Sequence, residues 1–227
     1  MTHLESSIDG LRQRLLTMAS HASNQVRLAM KVLTDRDDEL AVQVEEEDNI
    51  LDSLEMEIDE VAIQLLLRAP LARDLRLIMI ATKLGHDLER VGDEATAIAR
   101  RSRDLNREPQ LKPYVDLPRM ALMVLEMLGT AIDSFIRSDG ELARTVIPRD
   151  KEIDQLNKQL HRELTSFLAE SPGNITRCLN LMAISKRLER IGDHAKNIAE
   201  EVVYLCEARD IRHTYKTSDS SGAPAAP

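Results

Sequence analysis

A chain that repeats a twelve-residue helical segment one hundred residues later is committed to a duplicated helical architecture. Here Leu88-Glu89-Arg90-Val91-Gly92-Asp93-Glu94-Ala95-Thr96-Ala97-Ile98-Ala99 returns as Leu188-Glu189-Arg190-Ile191-Gly192-Asp193-His194-Ala195-Lys196-Asn197-Ile198-Ala199. Eight of the twelve aligned positions are identical, and a ninth exchanges Val91 for Ile191. Each copy carries a glutamate and an aspartate four residues apart, Glu89 with Asp93 and Glu189 with Asp193. On a helix that spacing stacks the two carboxylates on one face, about 6 Å apart at Cβ, where like charges repel by a few tenths of a kcal/mol. A pattern that gives up stability twice, in one register, calls for something that offsets the repulsion.

The apolar residues around these segments recur at steps of three and four, the period of amphipathic helices. The first predicted helix runs from about Leu4 to Leu33, with Leu4, Ile8, Leu11, Leu15, Met18, Ala22, Ala29 and Val32 as its stripe, broken only by Gln25. After a turn at 34–38, a second helix runs to about Arg68 on Val44, Leu51, Leu54, Ile58, Val61 and Leu65. Ala69-Pro70 ends it, and Pro70 is expected in the first turn of the third helix. That helix carries Leu77, Ala81, Leu84, Leu88, Val91, Ala95 and Ile98 and fades through 100–104. A fourth (Met120, Val124, Met127, Ala131) ends at Ser138-Asp139-Gly140. A fifth, from Glu141 to about Ala169, is expected to kink or restart at Pro148. A sixth follows the turn 171–174, carrying Leu181, Ile184, Leu188, Ile191, Ala195, Ile198, Val202 and Leu205.

The second and fifth helices repeat as well, at an offset of 102: Glu39-Leu40-Ala41 matches Glu141-Leu142-Ala143, Asp48 matches Asp150, and Asp52 matches Asp154. The expected architecture is all-α: two pseudo-repeated three-helix bundles of six long antiparallel helices. The units span 1–106 and 119–209, joined by a proline-bearing connector at 107–118. The tail at 210–227, ending in SSGAPAAP, has nothing to bury and is expected to be disordered.

Aromatic residues make up 2% of the 227 positions and tryptophan is absent, as suits a bundle rather than a β-sandwich. The formal charge of −9, from 39 acidic and 30 basic residues, offers no electrostatic footprint for nucleic acid. Cys178 and Cys206 have no ligand spacing and are expected to be buried, reduced thiols of a cytoplasmic protein. No apolar run reaches the ~20 residues that span a bilayer, so a membrane is expected to be met only through protein partners.

Each unit holds two acidic i,i+4 pairs: Asp48 with Asp52 and Glu89 with Asp93, then Asp150 with Asp154 and Glu189 with Asp193. With 39 acids, about six or seven such pairs arise from composition alone, and most acidic pairs are solvated helix surface. What singles these out is that all four recur in register while neighbours have drifted, as with Glu94 against His194 and Asp87 against Arg187. At about 100° per residue, Glu89 and Asp93 lie nearly opposite the core stripe, and Asp48 and Asp52 are displaced in the same rotational sense. The pairs are therefore expected to converge in an external groove and to hold hard cations: Mg, Ca or Mn, or an iron cluster. Gly92 and Gly192, between the carboxylates, either admit an ion or pack a helix closely. His86 is either an extra ligand or, more commonly for such a residue, a solvated surface histidine. Arg100, Arg101, Arg103 and Arg107 read as cations at a helix C-terminus.

The doubled LERxGDxAxxIA signature on the third helix of each unit, with Pro70-Leu71-Ala72-Arg73-Asp74-Leu75-Arg76 before the first copy, resembles the PhoU family over about residues 4–209. The resemblance implies that Glu89, Asp93, Glu189 and Asp193 ligate divalent metal (Mg, Mn, Fe or Zn), with Asp48, Asp52, Asp150 and Asp154 as second-helix partners. It further implies a cytoplasmic, homodimeric adaptor rather than an enzyme. Such an adaptor regulates phosphate uptake and restrains the phosphate-starvation response, between the nucleotide-binding subunit of a phosphate ABC transporter and a sensor histidine kinase. The alternative is a carboxylate-cluster enzyme or a metal-storage bundle. A ferritin-like di-iron centre, however, needs Glu-x-x-His, and Gly92 and Gly192 stand where the histidines belong.

Overall fold

The apolar stripes resolve into seven α-helices in a computed structural model, which describes residues 3–67 and 71–211. The first unit is α1 (His3–Thr34), α2 (Glu39–Leu66) and α3 (Ala72–Asn106). The second is α4 (Asp116–Arg137), α5 (Gly140–Val146), α6 (Asp150–Glu170) and α7 (Ile175–Glu207), and no strand occurs among the described residues. A proline inside a helix lacks the N–H and crowds the preceding turn. Pro148 accordingly lies in a 3₁₀ turn, Ile147–Arg149, that separates α5 from α6. Five long helices and one divided helix thus make up the six expected.

Several boundaries move, each for a local reason. The third helix does not fade at 100–104 but continues to Asn106. There the Arg36 guanidinium donates to Asn106 O (2.6 Å) and Glu108 O (2.7 Å), placing a cation on the carbonyl end of the helix. Pro70, expected in the first turn of the third helix, lies outside the described residues; α3 starts at Ala72 after an extended Leu71. The fourth helix starts at Asp116, ahead of the expected connector end, with Pro118 in its first turn, where the missing N–H has no intrahelical partner to lose. At the other end, Ile211 was expected to open a tail with nothing to bury. It is instead 6% exposed and belongs to the apolar core, while the rest of that tail, 212–227, lies outside the described residues. Cys178 is buried as expected, but Cys206 is exposed: it is near the end of α7, and its thiol donates to Ser138 O at 3.2 Å.

The core is continuous through both units, from Leu11, Leu15 and Val26 of α1 to Ile184, Leu188 and Val202 of α7. Helix α3 packs against α1, α2 and α7, and α7 against α3, α4, α5 and α6. The two signature helices run antiparallel along each other. Glu94 accepts from Arg187 (2.8 Å) and Arg190 (3.3 Å), and Asp87 faces His194 Nδ1 at 2.8 Å. At the repeat offset of 100, Asp87 corresponds to Arg187 and Glu94 to His194. The pseudo-twofold therefore exchanges one acid–base pair for the other. What looks like drift in the repeat is a compensated pair of substitutions across the seam.

Candidate metal centre

In the first unit the acidic residues meet between α2 and α3. Asp48, Asp52 and Glu55 come from successive turns of α2, and His86, Glu89 and Asp93 from successive turns of α3. Gln25 reaches in from α1. It is wholly buried, and its Nε2 lies 2.9 Å from Val44 O, 3.1 Å from Asp48 Oδ1 and 3.0 Å from Thr96 Oγ1, joining three helices and fixing the Asp48 carboxylate. Glu55 Oε1 is 3.1 Å from His86 Nδ1. Among the described residues, one set of three or more His, Cys, Asp or Glu donor atoms falls within 4.8 Å of one another: Glu55, His86 and Glu89. Glu55 and His86 also line an open groove of about 610 Å³ that reaches across to Asn197 and Glu201 of α7.

Charge at this place is under-compensated. Partial burial, then Asp93 and Glu55, push the Glu89 carboxyl above its ordinary range, against the opposing pull of Arg90 and His86. Asp52, exposed at its tip, is raised by partial burial first and then by Asp48, Asp93 and Glu55. The one nearby guanidinium, Arg90, serves both Glu89 (3.3 Å) and Asp93 (2.9 Å). Glu89 Oε2 is sealed from solvent and has Arg90 Nε, at 3.3 Å, as its ion-pair partner.

The second unit sets the equivalent residues between α6 and α7, with a different outcome. Asp150 is 6% exposed and Glu189 8%, whereas Asp48 and Glu89 are half-buried. Lys196 Nζ lies 2.6 Å from Asp150 Oδ2, and Lys186 is ion-paired to Glu189. Burial alone opposes the charge on Lys196, but the hydrogen bond and charge of Asp150, with Glu200 and Asp193 behind it, outweigh it and push the ammonium pKa up. Asp193 is raised by burial, then by Asp150 and Glu189, with Lys196 pulling the other way and Asp154 adding to the rise.

All eight candidate ligands thus sit along these two helix pairs, but only Glu89 is in the three-donor set. One expectation needs correction, and one open choice is decided. The second unit's acidic face is not external, since Asp150 and Glu189 are buried between α6 and α7, whereas Asp52 and Asp93 of the first unit are exposed. At Gly92 the close-packing alternative holds. A Cβ there would collide with Leu51 Cδ1 and come within 2.8 Å of Gln25 Oε1, so close packing requires the glycine. At Gly192 a Cβ would meet Val124 and Ile153 at 3.6–3.7 Å, ordinary contact. Glu55 and the lysines were missed from sequence. Gln25 left a trace, as the one break in the stripe of α1.

A nitrogen and two carboxylate oxygens converging beside three further carboxylates form a donor set that suits a divalent cation. The fold has known counterparts. The PhoU domain model matches residues 15–102 and again 117–202, once for each unit. A Pseudomonas aeruginosa protein named phosphate-specific transport system accessory protein PhoU homolog is 41% identical over 210 residues, covering 92% of this chain and 87% of its own length. Its Aquifex aeolicus namesake is 38% identical over 213 residues, covering 93% and 96%. Among solved structures, PhoU from Pseudomonas aeruginosa superposes with a TM-score of 0.88 at 40% identity over 91% of this chain and all of that one. The phosphate transport system regulatory protein PhoU from Streptococcus pneumoniae does so at 0.86, with 26% identity over 92% and 99%. With its domain matched twice and its whole length paralleled in relatives and in crystal structures, the chain belongs to the PhoU family.

Proposed function

We propose that this protein is a cytoplasmic regulator of phosphate uptake, an accessory of a phosphate-specific transporter rather than a catalyst. It would act as a metal-dependent adaptor between the transporter's nucleotide-binding subunit and a sensor histidine kinase. The observation that carries the proposal is the double match of the PhoU domain over nearly all of the described fold, together with relatives named for phosphate transport. The construction suits an adaptor: long helices locked along the α3–α7 seam present side chains on stiff supports. No helix among the described residues is long and apolar enough to cross a membrane, so contact with a transporter would be made through its protein subunits. A divalent ion (Mg, Mn, Fe or Zn) on the acidic groups would order that surface or accept a partner's carboxylate. A homodimer is part of the same proposal.

Deletion of the gene should switch phosphate-starvation genes on while phosphate is plentiful. A pull-down from membranes should recover the transporter's nucleotide-binding subunit and the kinase. Starvation-gene expression unchanged by deletion, at both high and low phosphate, would overturn the regulatory role.

A further inference from the structure

The two units put the same helices around two acidic groups but neutralise them differently, and that difference assigns a ligand. At the repeat offsets, Glu55 corresponds to Asn157, His86 to Lys186, Glu89 to Glu189 and Thr96 to Lys196. In the second unit an ammonium is delivered by the chain to each of the two buried carboxylates of the acidic group, Lys196 to Asp150 and Lys186 to Glu189. Asn157 is engaged by Ser185 Oγ at 2.6 Å. In the first unit both lysines are absent, and a fifth carboxylate, Glu55, has been added. The place held by the Lys186 ammonium is taken by an imidazole that can donate a lone pair. One copy thus carries its cation on its own lysines, while the other keeps a three-donor set, Glu55, His86 and Glu89, within 4.8 Å, with Arg90 Nε 3.3 Å from Glu89 Oε2.

We infer that the two acidic groups are not equivalent: the first binds one divalent transition-metal ion through Glu55, His86 and Glu89, and the second binds none because Lys186 and Lys196 already fill that role. The inference deepens the metal-dependent reading above and rests on it. An imidazole ligand beside carboxylates favours Zn²⁺, Fe²⁺ or Mn²⁺ over Mg²⁺ and Ca²⁺, which prefer all-oxygen shells. The adjoining groove leaves the remaining coordination positions open to water or to a partner's oxygen.

The test is metal stoichiometry of the full chain, stripped of metal and then titrated with Zn²⁺ or Mn²⁺ and, separately, Mg²⁺. The expected result is one Zn²⁺ or Mn²⁺ per chain, held at concentrations where Mg²⁺ is not. His86→Lys, which copies the second unit, should lose that ion while retaining helicity by circular dichroism. Glu55→Gln should weaken it without loss of fold. The reciprocal double variant Asn157→Glu/Lys186→His should gain a second ion. Two ions per chain in the parent protein, or one ion retained in His86→Lys, would overturn the inference while leaving metal binding in place. No ion in the parent under any of these metals would overturn both, with the regulatory role still decided by the deletion strain.

Discussion

The α2–α3 and α6–α7 helix pairs descend from one pattern and solve the same electrostatic problem by opposite means. Five carboxylates of the first pair face a single arginine, Arg90, and stay partly open to water. The second pair sinks Asp150 and Glu189 almost entirely and lays a lysine on each. Burying an unpaired charge costs several kcal/mol, so depth and the tethered ammonium go together, just as exposure and the lack of one do. Gly92 and Gly192 differ in the same way. Identical in the repeat, one is wedged under Leu51 and Gln25, and the other has room to spare. Duplication preserves a motif, but each copy's neighbours decide what the motif does.

The comparison can be broken most forcefully at Lys196. Lys196→Thr, which installs the first unit's residue, strips Asp150 of its partner at 6% exposure. Truncating one side of a buried pair costs about 3–5 kcal/mol, and since the Lys196 side chain is 30% exposed we expect about 2–3 kcal/mol here, screened by solvent. Thermal unfolding in chelator should show a fall of several degrees, and Mn²⁺ should restore more stability to the variant than to the parent. An unchanged midpoint would mean that Asp150 does not depend on the lysine.

A smaller effect separates the glycines. Gly92→Ala should lose up to about 2 kcal/mol, because overpacking costs about 1–3 and helix propensity returns about 1. Gly192→Ala, with no clash to offset the same gain, should be neutral or more stable by up to about 1 kcal/mol. Denaturant titrations of the two variants should move in opposite directions, and equal losses would erase the packing difference.

The smallest effect concerns protons. The raised carboxyls of Asp52, Glu89 and Asp193 bind protons more tightly in the folded chain than in the unfolded one. Their contribution to stability is therefore present below the ordinary carboxyl range, near about 4, and is lost as pH rises through the raised values. In chelator at neutral pH, Asp193→Asn should relieve about 0.2–0.5 kcal/mol of like-charge repulsion, as for other i,i+4 pairs. The midpoint should rise by about 1–2 °C. Zn²⁺ bound at the first unit should leave that gain intact; a gain abolished by Zn²⁺ would mean that the second group holds the ion.

Helix count, order and duplication were legible in the residues themselves, because a 3.6-residue apolar period and a twelve-residue repeat are local properties that any long-range fold must respect. The break at Pro148 was equally local. So was the placing of each i,i+4 carboxylate pair on one face of its helix, since that spacing fixes which carboxylates stand together. The rest was decided between helices. That Glu55 and His86 join Glu89 depends on how α2 lies against α3. That Lys186 and Lys196 close the second group depends on their reach across and along α7. That Glu94 and Asp87 compensate Arg187 and His194 depends on α3 and α7 running antiparallel. Ile211 follows the same rule, as a single apolar residue beyond the last stripe that carries no period and is buried only because the fold supplies a surface for it. A one-dimensional period names the face a side chain occupies; which helix covers that face, and with what charge, exists only once the helices pack.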